Sequence, residues 1–171
     1  GLAFAGALGA VAIVYALATV RRQGLSTTVL LLAGITLNAF FSSVILFIQY
    51  LADFSQTFRT VRWLMGDLDV GSYTPILAAL PFMLVAFAAF AVLPRALNLL
   101  TLGADAAAAR GVDVLRTQRL SFFSASLATG AAVSLGGPVG FIGIIVPHLV
   151  RLLVGSDHRI VLPAATLFGA A

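Results

Sequence analysis

Leu97-Asn-Leu-Leu-Thr-Leu-Gly-Ala-Asp-Ala-Ala-Ala-Ala-Arg-Gly-Val112 is a polar interruption between two uncharged runs, each long enough to cross a bilayer. Its alanine-rich middle, Asp105 to Arg110, predicts a short helix. Gly103 precedes that helix and Gly111 follows it, both natural helix-end residues. A short helix held between two spans is a handle for a soluble partner.

The whole chain supports that setting. Of its 171 residues 61% are hydrophobic and 9% charged, with a mean hydropathy of +1.09, whereas a soluble domain is about 25% charged. Lipid is therefore the solvent. All ten basic residues are Arg and all six acidic residues are Asp. The Arg residues form short clusters between apolar runs, which is membrane topology and not a nucleic-acid surface. The absence of cysteine removes disulfides and thiolate metal sites.

Uncharged stretches mark the spans. The first, Gly1 to Val20, ends at Arg21 and Arg22. The second runs from about Val29 to Leu51, with helix-start residues Ser26, Thr27 and Thr28 ahead of it. Within it Asn38, Ser42 and Gln49 share one face, either as interhelical hydrogen-bonding groups or as the lining of a polar path. A polar stretch, Asp53 to Tyr73, follows, with a short surface helix expected over Phe58 to Leu68 and stopped near Gly66 or Gly71. Pro75 to Leu93 is the third span, with a kink expected at Pro81.

Leu120 to Val150 is too long for one upright span, and Gly136-Gly137-Pro138-Val139-Gly140 breaks it. Backbone released from helix at membrane depth must be surrounded by protein or by a water-filled cavity. Ser126, Gly130 and Ser134 make a close-packing face on the first half. A polar turn, Gly155 to Arg159, then leads into a last apolar segment from Ile160. Both ends of the chain lie inside apolar runs, which reads as a fragment of a longer protein.

Alternate loops differ in charge. Arg21, Arg22, Arg95, Arg110, Arg116, Arg119, Arg151 and Arg159 fall on one side, and Arg59 and Arg62 on the other. The Arg-rich side, with the Leu97 to Val112 stretch, is assigned to the cytoplasm. The spans contain no carboxylate of the kind an ion-coupled carrier uses. There is no phosphate-binding loop and no catalytic motif, so ATP hydrolysis, where needed, falls to another chain. His148 and His158 suit hydrogen bonding better than metal binding, and no metal site or cofactor is expected.

Gly-Pro-Val-Gly-Phe-Ile-Gly-Ile-Ile-Val-Pro-His-Leu-Val-Arg-Leu-Leu-Val-Gly-Ser-Asp-His-Arg (Gly137 to Arg159), followed by Leu-Pro-Ala-Ala (Leu162 to Ala165), resembles the FecCD family. Those proteins are permease subunits of ATP-binding-cassette importers for iron-siderophores, haem and vitamin B12. Leu25 to Gly34, Trp63-Leu-Met-Gly66 and Leu97 to Val112 resemble further family blocks in the right order. The resemblance implies an all-α, polytopic membrane bundle of the type II importer class. Residues 1–171 would be part of a single permease domain, roughly spans four to nine of ten, cut at both ends.

It also implies roles. Asn38, Ser42 and Gln49 would line the translocation path, and Ser26, Thr27 and Thr28 the cytoplasmic gate. Leu102, Gly103, Asp105, Ala107, Ala108, Arg110 and Gly111 would engage the ATPase, and Arg59 and Arg62 would contact the binding protein. The implied partners are a second permease (homodimer or paired), cytoplasmic ATP-binding subunits, a periplasmic or lipid-anchored substrate-binding protein, and lipid. The implied location is the bacterial inner membrane, crossed several times. The expected cargo is a metal chelate, with a ferric siderophore first and cobalamin second. An ion-gradient-driven carrier or channel and a membrane-embedded enzyme are the competing classes. The first would transport without an ATPase, and the second would need catalytic residues in the missing ends.

Overall fold

The computed structural model describes residues 2–19, 27–66 and 72–170. Arg21, Arg22, Ser26, Asp67, Asp69 and Gly71 lie outside the described residues, as does the side chain of Thr27. The described chain is helical, without strands. Its elements are α1 (Leu2–Thr19), α2 (Thr27–Leu51), α3 (Phe54–Leu64), α4 (Thr74–Val92), α5 (Pro94–Leu100), α6 (Ala104–Ala109), α7 (Val114–Gly136), α8 (Ile142–Val154) and α9 (His158–Ala170).

The apolar runs set the helices and polar residues set their ends. Here the structure corrects several sequence boundaries. The surface helix starts at Phe54, not Phe58, because the Asp53 carbonyl accepts the Gln56 and Thr57 N–H groups at 3.0 and 2.9 Å. It stops at Leu64, where Gly66 takes a φ of 82°. The span expected from Leu120 begins at Val114. There the Asp113 carboxylate accepts the Arg116 N–H at 2.9 Å and caps α7 two turns before the apolar run starts. Pro94 opens a separate helix, α5, directly after α4, with its fixed φ suited to a first turn. Pro81 is accommodated inside a continuous α4.

Two compact units emerge. One gathers Gly1–Leu80 and Thr129–Pro138, the other Pro81–Ala128 and Val139–Ala171. In the first, α1 packs on α2, and a methyl added at Gly130 would meet Ala7 Cβ at 3.4 Å. Gly130 therefore serves the close approach expected of its four-residue pattern. In the second, α9 packs on both α8 and α5, and α5 on α6.

The surface of α2 is strongly apolar. Leu31, Leu32, Ile35, Phe40, Phe41, Leu46, Phe47, Ile48 and Leu51 are all exposed. Each would forgo roughly 1.5–3 kcal/mol if left in water. Their sum reaches or exceeds the ~5–15 kcal/mol that holds a whole domain together. Both α2 and α4 are long and apolar enough to cross a membrane, and α1 and α8 are shorter apolar helices.

The break between α7 and α8 is partly enclosed. Gly136 and Gly137 are buried, while Pro138 to Phe141 are exposed. Gly137 has a φ of 73°, and a Cβ there would lie 2.6 Å from the Trp63 carbonyl oxygen and 3.3 Å from Gly66 Cα. The Trp-Leu-Met-Gly end of α3 and the glycine break thus meet backbone to backbone. Phe141, at a φ of 65°, then starts α8, with the Ile144 and Ile145 N–H groups donating to its carbonyl at 2.9 Å.

Gly137→Ala should destabilise the full-length protein by about 1–3 kcal/mol, since neither the left-handed φ nor the Trp63 carbonyl can yield cheaply. Gly140→Ala, with nothing within 4 Å of its added methyl, should leave the melting temperature nearly unchanged. Equal melting temperatures for the two variants in detergent would refute the close-approach reading.

Candidate functional site

The α5–α6 hairpin is built from its own ends. Gly103, at a φ of 102°, lets the chain reverse after Leu102, and its carbonyl accepts the Ala107 N–H at 3.0 Å. At the far end the Val112 N–H donates to the Ala107 carbonyl at 3.1 Å, and the Gly111 N–H to the Ala108 carbonyl at 2.9 Å. With Gly111 at a φ of 83°, this is a Schellman motif. Arg110 Nη1–H donates to the Ala106 carbonyl at 3.0 Å. The helix expected over Asp105 to Arg110 is present as α6, one residue earlier at each end.

Burial sorts the residues expected to meet the ATPase. Leu102, Asp105, Ala108 and Arg110 are exposed, as are the two glycines. Ala107 is fully buried, on the covered side of α6.

A cluster that the sequence did not reveal ties this hairpin to α9. Asn98, on α5, donates through its amide to Asp157 Oδ1 at 2.6 Å. Its carbonyl oxygen accepts the His158 backbone N–H at 2.9 Å and the ring Nδ1–H at 2.6 Å. Asp157 Oδ1 also accepts the Arg159 N–H at 2.9 Å, capping α9 two residues before the expected start. The Arg159 N–H, then the Asn98 amide, hold the Asp157 carboxyl below the usual carboxylate range. Desolvation first, then the nearby Arg151 charge, lower the His158 pKa, with Asp157 opposing them. A ring protonated at Nδ1 donates to Asn98. The only signals in the sequence were an Asn amid leucines and an Asp-His pair after Gly155.

The other candidates lie in the first unit. On α2, Asn38 and Ser42 are exposed and Gln49 is half-buried. Thr28 is exposed in the first turn of that helix. Arg59 and Arg62 are exposed on α3, three residues apart and so on neighbouring positions of one face.

The sequence matches the FecCD transport family over residues 1–171. The chain belongs to that family. The FecCD chain is 42% identical to the cobalamin import system permease protein BtuC of Halobacterium salinarum, over 99% of its length and 45% of that protein's. It is 36% identical to the hemin transport system permease protein HmuU of Yersinia pestis, over 98% of its length and 50% of that protein's. It is 38% identical to the ferric enterobactin transport system permease protein FepD of Escherichia coli, over 97% of its length and 49% of that protein's. The chain thus spans about half the length of the curated relatives it matches. A solved structure of a metal-chelate type ABC transporter in an inward-facing conformation aligns with a TM-score of 0.82 and 32% identity. It covers 95% of the FecCD chain and 52% of the solved one. An all-α permease fold is therefore established.

Two outcomes are expected at the α5–α9 cluster. Asn98→Ala should speed amide exchange at His158 to Val161 by about tenfold, the equivalent of one lost hydrogen bond. Unchanged exchange would remove the cluster's role. Because the folded-state pKa of His158 is lowered, its contribution to stability is full above the free imidazole value of about 6.5 and is lost as pH falls below it. Melting temperature should therefore drop less between pH 7 and 5.5 in His158→Gln than in wild type.

Proposed function

We propose that this chain is part of the transmembrane permease subunit of an ATP-binding-cassette importer for a metal chelate. Separate cytoplasmic ATPase subunits drive it. It forms the middle of a single permease domain, in a multi-pass protein of the inner membrane. The observation that carries the reading is family membership along the whole chain, together with a hairpin whose α6 C-terminus is closed by a Schellman motif and whose Leu102, Asp105, Ala108 and Arg110 are exposed.

In this reading α6 takes the push of the ATPase. Polar, uncharged Asn38, Ser42 and Gln49 on α2 line the path, a surface that lets a large ligand pass without binding it tightly. Ser26, Thr27 and Thr28 form the cytoplasmic gate. Arg59 and Arg62 on α3 meet acidic groups of a substrate-binding protein on the outer side. The bare apolar faces of α2 are covered by lipid and by a second permease, identical or paired. Relatives named for cobalamin, hemin and ferric enterobactin match at 42%, 36% and 38% identity, too evenly to rank the cargo. An ion-gradient carrier is disfavoured because α2 and α4 contain no acidic residue.

The test is uptake by the full-length protein in proteoliposomes with its ATPase and binding protein, offered a ferric siderophore, haem and cobalamin side by side. ATP-dependent uptake of one of them is expected. Uptake driven by an ion gradient, indifferent to ATP, would overturn the proposal. In the same assay Ala108→Glu should cut transport per ATP by about tenfold, the equivalent of about 1.4 kcal/mol of lost coupling. Ala107→Glu should instead destabilise the protein, because that side chain is covered.

A further inference from the structure

The start of α9 is completed by a side chain from another helix. The first four N–H groups of a helix need partners outside its own ladder. In α9 the Ile160 and Val161 N–H groups donate to the Asp157 carbonyl at 3.0 and 2.9 Å, and the Arg159 N–H donates to the Asp157 carboxylate at 2.9 Å. The His158 N–H differs, because its acceptor is Asn98 Oδ1 of α5, at 2.9 Å. The same oxygen accepts the His158 ring Nδ1–H, and the Asn98 amide nitrogen donates to Asp157 Oδ1, both at 2.6 Å. Two donors and one acceptor of the α9 start thus face one amide, which offers an acceptor and a donor side by side. Alanine offers neither. Aspartate offers no donor and sets a second carboxylate against Asp157.

Asn98 is tied as firmly to the hairpin. Thr101 Oγ1–H donates to its backbone carbonyl at 2.7 Å, just before the Gly103 reversal into α6. The other end of α5 is less constrained. Pro94 has no N–H, so the backbone ladder is interrupted where α4 ends and α5 begins. An interrupted ladder bends more readily than a continuous one. A displaced hairpin can therefore pivot at Pro94, while the three bonds of Asn98 hold it to α9. Helix α9 packs in turn on α8, and α5, α6, α8 and α9 all belong to the second unit.

We propose that Asn98 is a positioning residue of the transport cycle: through Asp157 and His158 it makes the first turn of α9 follow the α5–α6 hairpin when the ATPase displaces it. The inference rests on the importer reading. Asn98 is half-buried on α5, and it acts through α9, not by touching the ATPase.

The experiment uses the full-length permease in proteoliposomes with its ATPase and binding protein, and reads uptake and ATP hydrolysis together. Wild type comes first. If its uptake does not depend on ATP, the importer reading falls, and this inference with it. With a coupled wild type, Asn98→Ala should lower transport per ATP by roughly tenfold, inside the ~5–150-fold range of coupled sites. The affinity of the ATPase for the permease should stay the same. A merely structural Asn98 would lower the melting temperature and the yield of folded protein, and leave transport per ATP unchanged. Asn98→Asp should uncouple as well. Adding Asp157→Asn should restore most of the ratio, because in N98D/D157N the amide and the carboxylate exchange places and a donor again faces an acceptor. Wild-type transport per ATP in Asn98→Ala would overturn this proposal alone. So would weaker ATPase docking at a normal ratio, since Asn98 would then only shape the docking surface. Equal uncoupling in N98D and N98D/D157N would overturn it too.

Discussion

Backbone N–H and C=O groups that leave a helix at membrane depth must find a partner in protein or in a water-filled cavity, because lipid offers none. Scarce polar residues of this chain stand at its helix ends. The four described Asp residues all sit at helix starts: Asp53 before α3, Asp105 in the first turn of α6, Asp113 before α7 and Asp157 before α9. Carboxylates there complement the partial positive charge of the helix end, and two of them also accept a free N–H. Glycines do the complementary work at the other end of α6 and between α7 and α8, where the chain must turn with a positive φ. Acidic residues placed this way are structural. They leave the apolar spans free of fixed negative charge.

The same constraint explains what was legible in the sequence. Apolar runs marked by charges located α1, α2, α4 and α8 to within a few residues, since a span is long and its signal strong. The alanine-rich stretch between two glycines gave α6 almost residue for residue. Helix ends were harder, because a helix does not stop where apolarity stops. Arg116 and Arg119 read as the outside of a span, yet they belong to α7 because Asp113 caps it earlier. Leu97, Leu99 and Leu100 read as a connection, yet Pro94 starts a helix through them. Ala107 and Ala108 are indistinguishable in sequence. The fold buries one and leaves the other exposed.

Contacts distant in sequence were invisible for a related reason. Asn98 and Asp157 are 59 residues apart, and either alone is an ordinary polar residue in a turn. The approach of Gly137 to Trp63 is similar. Both segments stood out as motifs, but their meeting is a property of the folded unit. Small residues at such points are needed because backbone must lie against backbone, a demand that composition does not express.

The α5–α6 hairpin gains its meaning from what α5 touches. It packs on α6 at one side and on α9 at the other, and Asn98 bonds the first turn of α9 through three separate hydrogen bonds. Under the proposed function a force on exposed α6 reaches α9 through this joint without crossing a flexible loop. The joint is suited to that task. Helix ends held by side-chain caps are stiff when the caps are made, and breaking one leaves a donor or acceptor unpaired at about 1–3 kcal/mol. That energy is comparable to the 1–3 kcal/mol typical of coupling between sites. Under the proposed function the bonds of one amide side chain, Asn98, are therefore of the size needed to couple α5 to α9.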